Sequence, residues 1–99
     1  MKLLTKELLA QFKKVGSQED VKNPLIIAKY FGGGSYSFYA TEYDPNTKVF
    51  FGYVTGLSED EWGYVSLEEL EGIKFRPFGL GIERDLYFTN KHFNDIKHD

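Results

Sequence analysis

Two runs of alternating residues, Tyr36–Tyr43 and Lys48–Thr55, are separated only by Asp44-Pro45-Asn46-Thr47. That junction turns the chain back on itself, because proline presets φ while aspartate and asparagine side chains bond to nearby backbone. Two strands joined so tightly must lie antiparallel. The first run places Tyr36, Phe38, Ala40 and Glu42 on one face and Ser37, Tyr39, Thr41 and Tyr43 on the other. The second opposes Val49, Phe51 and Tyr53 to Phe50, Gly52 and Val54. Ahead of them, Leu25–Phe31 carries the β-branched pair Ile26 and Ile27 and ends at Gly32-Gly33-Gly34. Three glycines there make a hairpin turn and not a phosphate cradle, since neither a following Lys-Ser/Thr nor the glycine spacing of a dinucleotide loop is present.

A meander of this kind has an apolar face to cover. Leu4, Leu8, Leu9, Phe12 and Val15 recur at helical spacing, predicting an amphipathic helix over about Thr5 to Val15 with Gly16 beyond its end. Residues 17–23 read as a polar loop closed by Asn23-Pro24, and the acidic stretch that follows the third strand reads as a loop. Ser66-Leu67-Glu68-Glu69 then forms a capping box for a short helix ending at Gly72. Residues 74–81 are broken by Pro77, Gly79 and Gly81, Leu86–Phe88 reads as a strand extending the sheet, and Thr89 or Asn90 caps a last turn of helix. The sequence therefore predicts one α+β domain over 1–99. Its antiparallel meander sheet has about four strands, an N-terminal helix packed on it and a short capped helix after strand three.

The chain contains no cysteine, which excludes disulfides, thiolate metal sites and thiol catalysis. No Gly-x-Ser-x-Gly elbow occurs, and the only histidines, His92 and His98, stand in the last eight positions, whereas a general base needs an orienting partner fixed in a cleft. A non-enzymatic protein is expected. Lys6 and Glu7 interrupt the start before any apolar core of a leader could form, and no apolar run approaches a membrane span of roughly 18 residues. Cytoplasmic localisation with no membrane partner follows as an expectation. A pI near 5.4 argues against direct nucleic-acid binding, which relies on clustered lysine and arginine. The string Lys48-Val49-Phe50-Phe51-Gly52-Tyr53-Val54 is similar to the base-stacking strand of an RNA-recognition module. Its glycine stands where an aromatic is required.

Charge supplies the leading functional clue. Residues 59–71 hold Glu59, Asp60, Glu61, Glu68, Glu69 and Glu71 with no lysine or arginine, so this segment carries -6 of a formal net charge of -3. Either it solvates the chain or it meets a basic partner surface, with Trp62 and Tyr64 as aromatic anchors. A second possibility is a divalent metal held by Glu42, Asp44, Glu83 and Asp85 if their strands are neighbours. Oxygen ligands alone suit magnesium or calcium, whereas His92 or His98 would shift the preference to zinc.

Several strings occur in a fixed order: Ala40-Thr41-Glu42-Tyr43-Asp44, Phe50-Phe51-Gly52-Tyr53-Val54, Glu61-Trp62-Gly63-Tyr64-Val65-Ser66-Leu67-Glu68-Glu69-Leu70-Glu71 and Gly79-Leu80-Gly81-Ile82-Glu83-Arg84-Asp85-Leu86-Tyr87-Phe88. In these the chain resembles a domain-of-unknown-function family of small bacterial proteins carried on plasmids, conjugative elements and phages. Residues 89–99 depart from the family pattern, so the terminal histidines inherit no role from it. The resemblance implies a task in transfer or in defeating host defence. The favoured expectation is an anti-CRISPR inhibitor that binds a type II CRISPR effector nuclease and blocks nucleic-acid loading. An accessory binding protein in plasmid maintenance or conjugation is the alternative, and a metal-dependent enzyme the second.

Overall fold

The computed structural model describes residues 1–96. Helix α1 (Lys6–Val15) is capped at its start by Thr5, whose Oγ1 accepts from Leu8 N at 3.2 Å. It ends at Gly16, where φ is 69° and the backbone N–H returns to Phe12 O. Only Phe12 of this helix is fully buried, while Leu9 is turned toward solvent. Two residues, Leu25–Ile26, form β1, and β2 (Ala28–Gly32) follows directly. The predicted meander comes next as β3 (Tyr36–Asp44) and β4 (Val49–Thr55), joined across Asp44–Asn46 by the Asx contact from Asn46 N to Asp44 Oδ1.

The acidic stretch is not wholly a loop. Residues Glu61–Ser66 are a strand, β5, antiparallel to β4 over its full length. The expected capped helix α2 (Leu67–Gly72) therefore follows β5 instead of the β4 strand directly. Both bonds of its capping box form: Glu69 N to Ser66 Oγ at 2.9 Å and Ser66 N to Glu69 Oε1 at 3.1 Å. A small hairpin pairs β6 (Lys74–Phe75) with β7 (Leu80–Gly81), and β8 is Glu83–Arg84. The last strand of the main sheet is thus 83–84, and Leu86–Phe88 lies outside it; Asp85 turns the chain by accepting from Tyr87 N. Finally β9 (Lys91–His92) pairs with β1 and leads into α3 (Phe93–Ile96), which begins later than Thr89 or Asn90 would set it.

The main sheet is open and antiparallel, with strand order β5-β4-β3-β2-β8. One face carries Tyr30, Phe38, Ala40, Phe50 and Val54 and is covered by Phe12 of α1 and Leu70 of α2. Rings of Phe12, Tyr30, Phe38 and Tyr43 all surround Phe50, at 5.8, 5.5, 6.1 and 4.6 Å between centres. Each such pair adds about 0.5–1.5 kcal/mol beyond burial. Gly52 sits between them because a Cβ there would meet Tyr39 O and the Ala40 backbone.

A β-bulge between Ala40 and Glu42 changes which residues face the core. Strict alternation places Glu42 with Phe38 and Ala40. In the structure Thr41 is the extra residue, Tyr43 turns inward beside Phe50, and Glu42 pairs with Phe51 on the other face.

Candidate functional site

The second sheet face is built from the residues that β2, β3, β4 and β5 turn away from the helices. Register places Lys29, Tyr39, Tyr53 and Trp62 in one row across four strands, and Glu42, Phe51 and Tyr64 in the next. Within the first row Lys29 Nζ lies 5.4 Å from the Tyr39 ring centre, and Tyr53 meets Trp62 edge-on at 5.2 Å. Phe51 bridges the rows, stacked on Trp62 at 5.7 Å and 10° and tilted against Tyr64 at 4.9 Å. Phe93 of α3 closes over the first row, 4.9 Å from Tyr53 and 4.8 Å from Trp62.

Phe93 is held there by backbone. Its N–H donates to Pro24 O at 2.8 Å, Asn94 N donates to Asn23 Oδ1 at 2.8 Å, and β9 pairs with β1. Residues 17–24 are held in turn by Gln18, a buried polar side chain. Its Nε2 donates to Leu25 O at 2.8 Å and Thr41 O at 2.9 Å, and its Oε1 accepts from Leu25 N at 2.7 Å. Between this loop and the aromatic rows lies a cleft of about 390 Å³ with Val21, Pro24, Glu42, Phe51, Trp62 and Phe93 in its walls. A neighbouring cleft of about 400 Å³, at the C-terminal end of α1, shares Glu42 and Phe51 with it. Burial, aided by the Asp44 and Glu71 carboxylates, pushes up the Tyr43 phenol in the wall of this second cleft.

Among the described residues the coverage stops at β5. Trp62 is 36% exposed and Tyr64 76% exposed, beside Glu59 and Asp60 in the β4–β5 connection and Glu61 at the strand's start. Asp60 Oδ1 accepts from Gly56 N at 3.4 Å. The structure thus places Trp62 and Tyr64 on this face with Glu59 and Asp60 in the connection before them, while Glu61, opposite Val54, turns its side chain to the other sheet face. It does not bring Glu68, Glu69 and Glu71 to the same place: β5 spans six residues, about 20 Å, and α2 lies under the core face, where Leu70 is fully buried. Glu69 is occupied with its capping box, and its charge adds to burial in raising the Tyr36 phenol.

The proposed metal ligands do not converge. Glu42 and Asp44 stand near the end of β3, whereas Glu83 pairs with Phe31, whose β3 neighbour is Ser37. From Ser37 to Glu42 the strand runs about 16 Å. Asp85 closes its own turn, and His92 donates its backbone N–H to Asp95 Oδ2 at 3.1 Å. Among the described residues no three of the histidines, aspartates and glutamates stand close enough to hold a metal ion. His98 lies outside the described residues. Phe51, Tyr53 and Phe93 complete the aromatic surface and were not singled out by sequence. The signal for Phe51 and Tyr53 was the apolar character of both faces of Val49–Thr55, which tells that the second face is also covered or used; Phe93 had none.

The chain belongs to the family described as protein of unknown function (DUF2958), which matches residues 2–94. No curated protein and no solved structure matches it. No helix among the described residues is long and apolar enough to cross a membrane.

Proposed function

We propose that the protein is a non-catalytic binding module that docks a basic protein surface through β5 and the residues leading into it. The observation that carries this reading is the placement of Trp62 and Tyr64 on one exposed strand face, directly after Glu59, Asp60 and Glu61. Aromatic side chains of this size are the usual energetic anchors of protein interfaces. Carboxylates at the rim steer a basic partner in and fix its orientation more than they add raw affinity. Glu68, Glu69 and Glu71, beyond the far end of β5, contribute to the long-range field of the segment.

The finer form of the proposal takes the partner to be a type II CRISPR effector nuclease in the cytoplasm of a bacterial host. Its basic channel for guide and target strands would receive the acidic end of β5 ahead of nucleic acid. Excess negative charge and the family resemblance support that choice of partner.

The test replaces Glu59, Asp60 and Glu61 together by lysine. These side chains are exposed, so the unfolding midpoint should stay within about 2 °C of wild type. Partner binding should weaken by about a hundredfold, mainly through slower association. Equal capture of the same partners by both proteins would refute the docking reading. The finer form is tested with a purified guide-loaded effector in a DNA-cleavage assay. Undiminished cleavage in excess wild-type protein removes the nuclease as partner and leaves the docking surface standing.

A further inference from the structure

We infer that the open edge of β5 takes an extended, basic segment of a partner protein as a sixth strand of the sheet. This rests on the reading of β5 as the docking surface and adds how the docking occurs. Strand β5 ends the sheet order on one side and β8 on the other. The phase of the β4–β5 ladder fixes which groups look outward. Leu67 N donates to Lys48 O at 3.0 Å, continuing the register in which Ser66 opposes Val49. Backbone direction alternates along a strand, so Val65, Gly63 and Glu61 also turn their N–H and C=O toward β4. Trp62, Tyr64 and Ser66 turn theirs away. The far side of β4 agrees, because Phe51 O is directed at β3, where it accepts from Thr41 Oγ1. Ser66 N is satisfied by Glu69. Among the described residues, Trp62 and Tyr64 are left with both backbone groups facing the open edge.

Edges of this kind are normally blunted by brevity, proline, lysine or a bulge. The opposite edge follows that rule, since β8 is two residues long and includes Arg84. The β5 edge has six residues, no proline, no lysine and an unbroken register with β4. It is a template for strand addition, in which backbone bonds give affinity and alternate side chains give specificity.

Charge selects the occupant. Glu59, Asp60 and Glu61 lie at one end of the edge and Glu68 just beyond the other. A second copy added antiparallel, with Tyr64 opposite Tyr64, would set Asp60 of each chain level with Glu68 of the other. Added parallel, it would bring the same acids into register. An incoming segment with lysine or arginine at its ends meets no such repulsion, and its outward-facing residues stack on Trp62 and Tyr64.

The experiment uses the full chain and the peptide Lys-Lys-Val-Thr-Val-Thr-Lys-Lys, blocked at both ends, with a glutamate-for-lysine counterpart as control. Amide exchange is read residue by residue by NMR. With the lysine peptide at saturation, exchange at Trp62 and Tyr64 should slow by about tenfold or more, while Glu61 and Gly63, already bonded to β4, change little. Tyr64→Pro deletes an outward N–H without touching the β4 ladder and should bind the peptide about tenfold more weakly than Tyr64→Thr, which removes only the ring. Should the proline variant fail to fold, exchange in the unmodified chain still decides. Peptide binding that leaves both amides unprotected overturns strand addition while preserving β5 as a docking surface. Absence of binding, or binding of the glutamate peptide equally well, overturns it too. Protection that appears without peptide and grows with protein concentration assigns the edge to a second copy instead.

Discussion

Gln18→Ala removes one side chain and releases three backbone groups at once. Gln18 is 8% exposed and bonds to Leu25 O, Leu25 N and Thr41 O at 2.7–2.9 Å. Each bond contributes about 1 kcal/mol net, and a buried group left without a partner costs about 1–3 kcal/mol. Water reaches part of this loop, so the expected loss is about 3 kcal/mol, a large fraction of the 5–15 kcal/mol that domains of this size usually possess. At about 4–8 °C per kcal/mol the midpoint falls by roughly 12–24 °C. Urea unfolding followed by emission of Trp62, the only tryptophan, measures it directly. Gln18→Glu adds a sign to the test. Its carboxylate would face two carbonyl oxygens, so burial beside them raises the folded-state pKa above the ordinary value near 4.3. The folded state then holds the extra proton, and stability falls as pH rises through and above that ordinary value. A loss under about 1 kcal/mol for the alanine variant, or a glutamate variant with wild-type pH dependence, would refute the assignment of Gln18 as the pin of this loop.

Three further outcomes follow from the same geometry. Gly52→Ala drives a Cβ into Tyr39 O and places it 2.9 Å from Ala40 Cα, both backbone, and should cost about 2–4 kcal/mol in urea unfolding; a neutral result would show that β3 and β4 separate freely there. The Tyr30 phenol is pushed well above its ordinary value of 10.0, first by burial, against a lowering influence of Arg84, and it donates to Leu3 O at 2.6 Å. Its raised folded-state pKa means that stability is full below pH 10 and declines above it, and Tyr30→Phe should flatten part of that decline while losing about 1 kcal/mol at pH 7. Added Zn²⁺ or Mg²⁺ should leave the thermal midpoint unchanged, because the described carboxylates and His92 do not cluster; a saturable rise would restore the metal reading.

Local chemistry made much of this fold legible. The Asp44–Thr47 turn, the Thr5 to Gly16 helix and the Ser66 capping box are each specified by residues within one turn of one another. What escaped depends on contacts distant in sequence. Alternation through Ala40 and Glu42 is interrupted by a bulge that Gln18 and Phe51 help to hold, through Thr41 O and Thr41 Oγ1. Nothing within β3 announces it. Strand β5 was hidden because Glu61, following Glu59 and Asp60, and Gly63 read as loop, and only pairing with β4 makes Glu61–Ser66 extended. The acids of 59–71 looked like one surface because they are consecutive. A strand of about 20 Å followed by a helix on the opposite sheet face separates them.

That separation changes what the acidic segment can do. The carboxylates of α2 flank Leu70, which is fully buried in the core, so their placement follows from helix amphipathicity and capping. Tyr64 differs. With 76% of its surface exposed and one described ring contact, to Phe51, it adds little to stability, yet it stands on the strand edge whose backbone is open. A threonine there would serve the sheet as well and would remove an apolar ring from water. Trp62 is intermediate, since Phe51, Tyr53 and Phe93 cover one side of its indole. Stability thus decreases and availability increases from Phe93 outward to Tyr64. An incoming chain would extend an aromatic surface the fold has already built, starting from Tyr64.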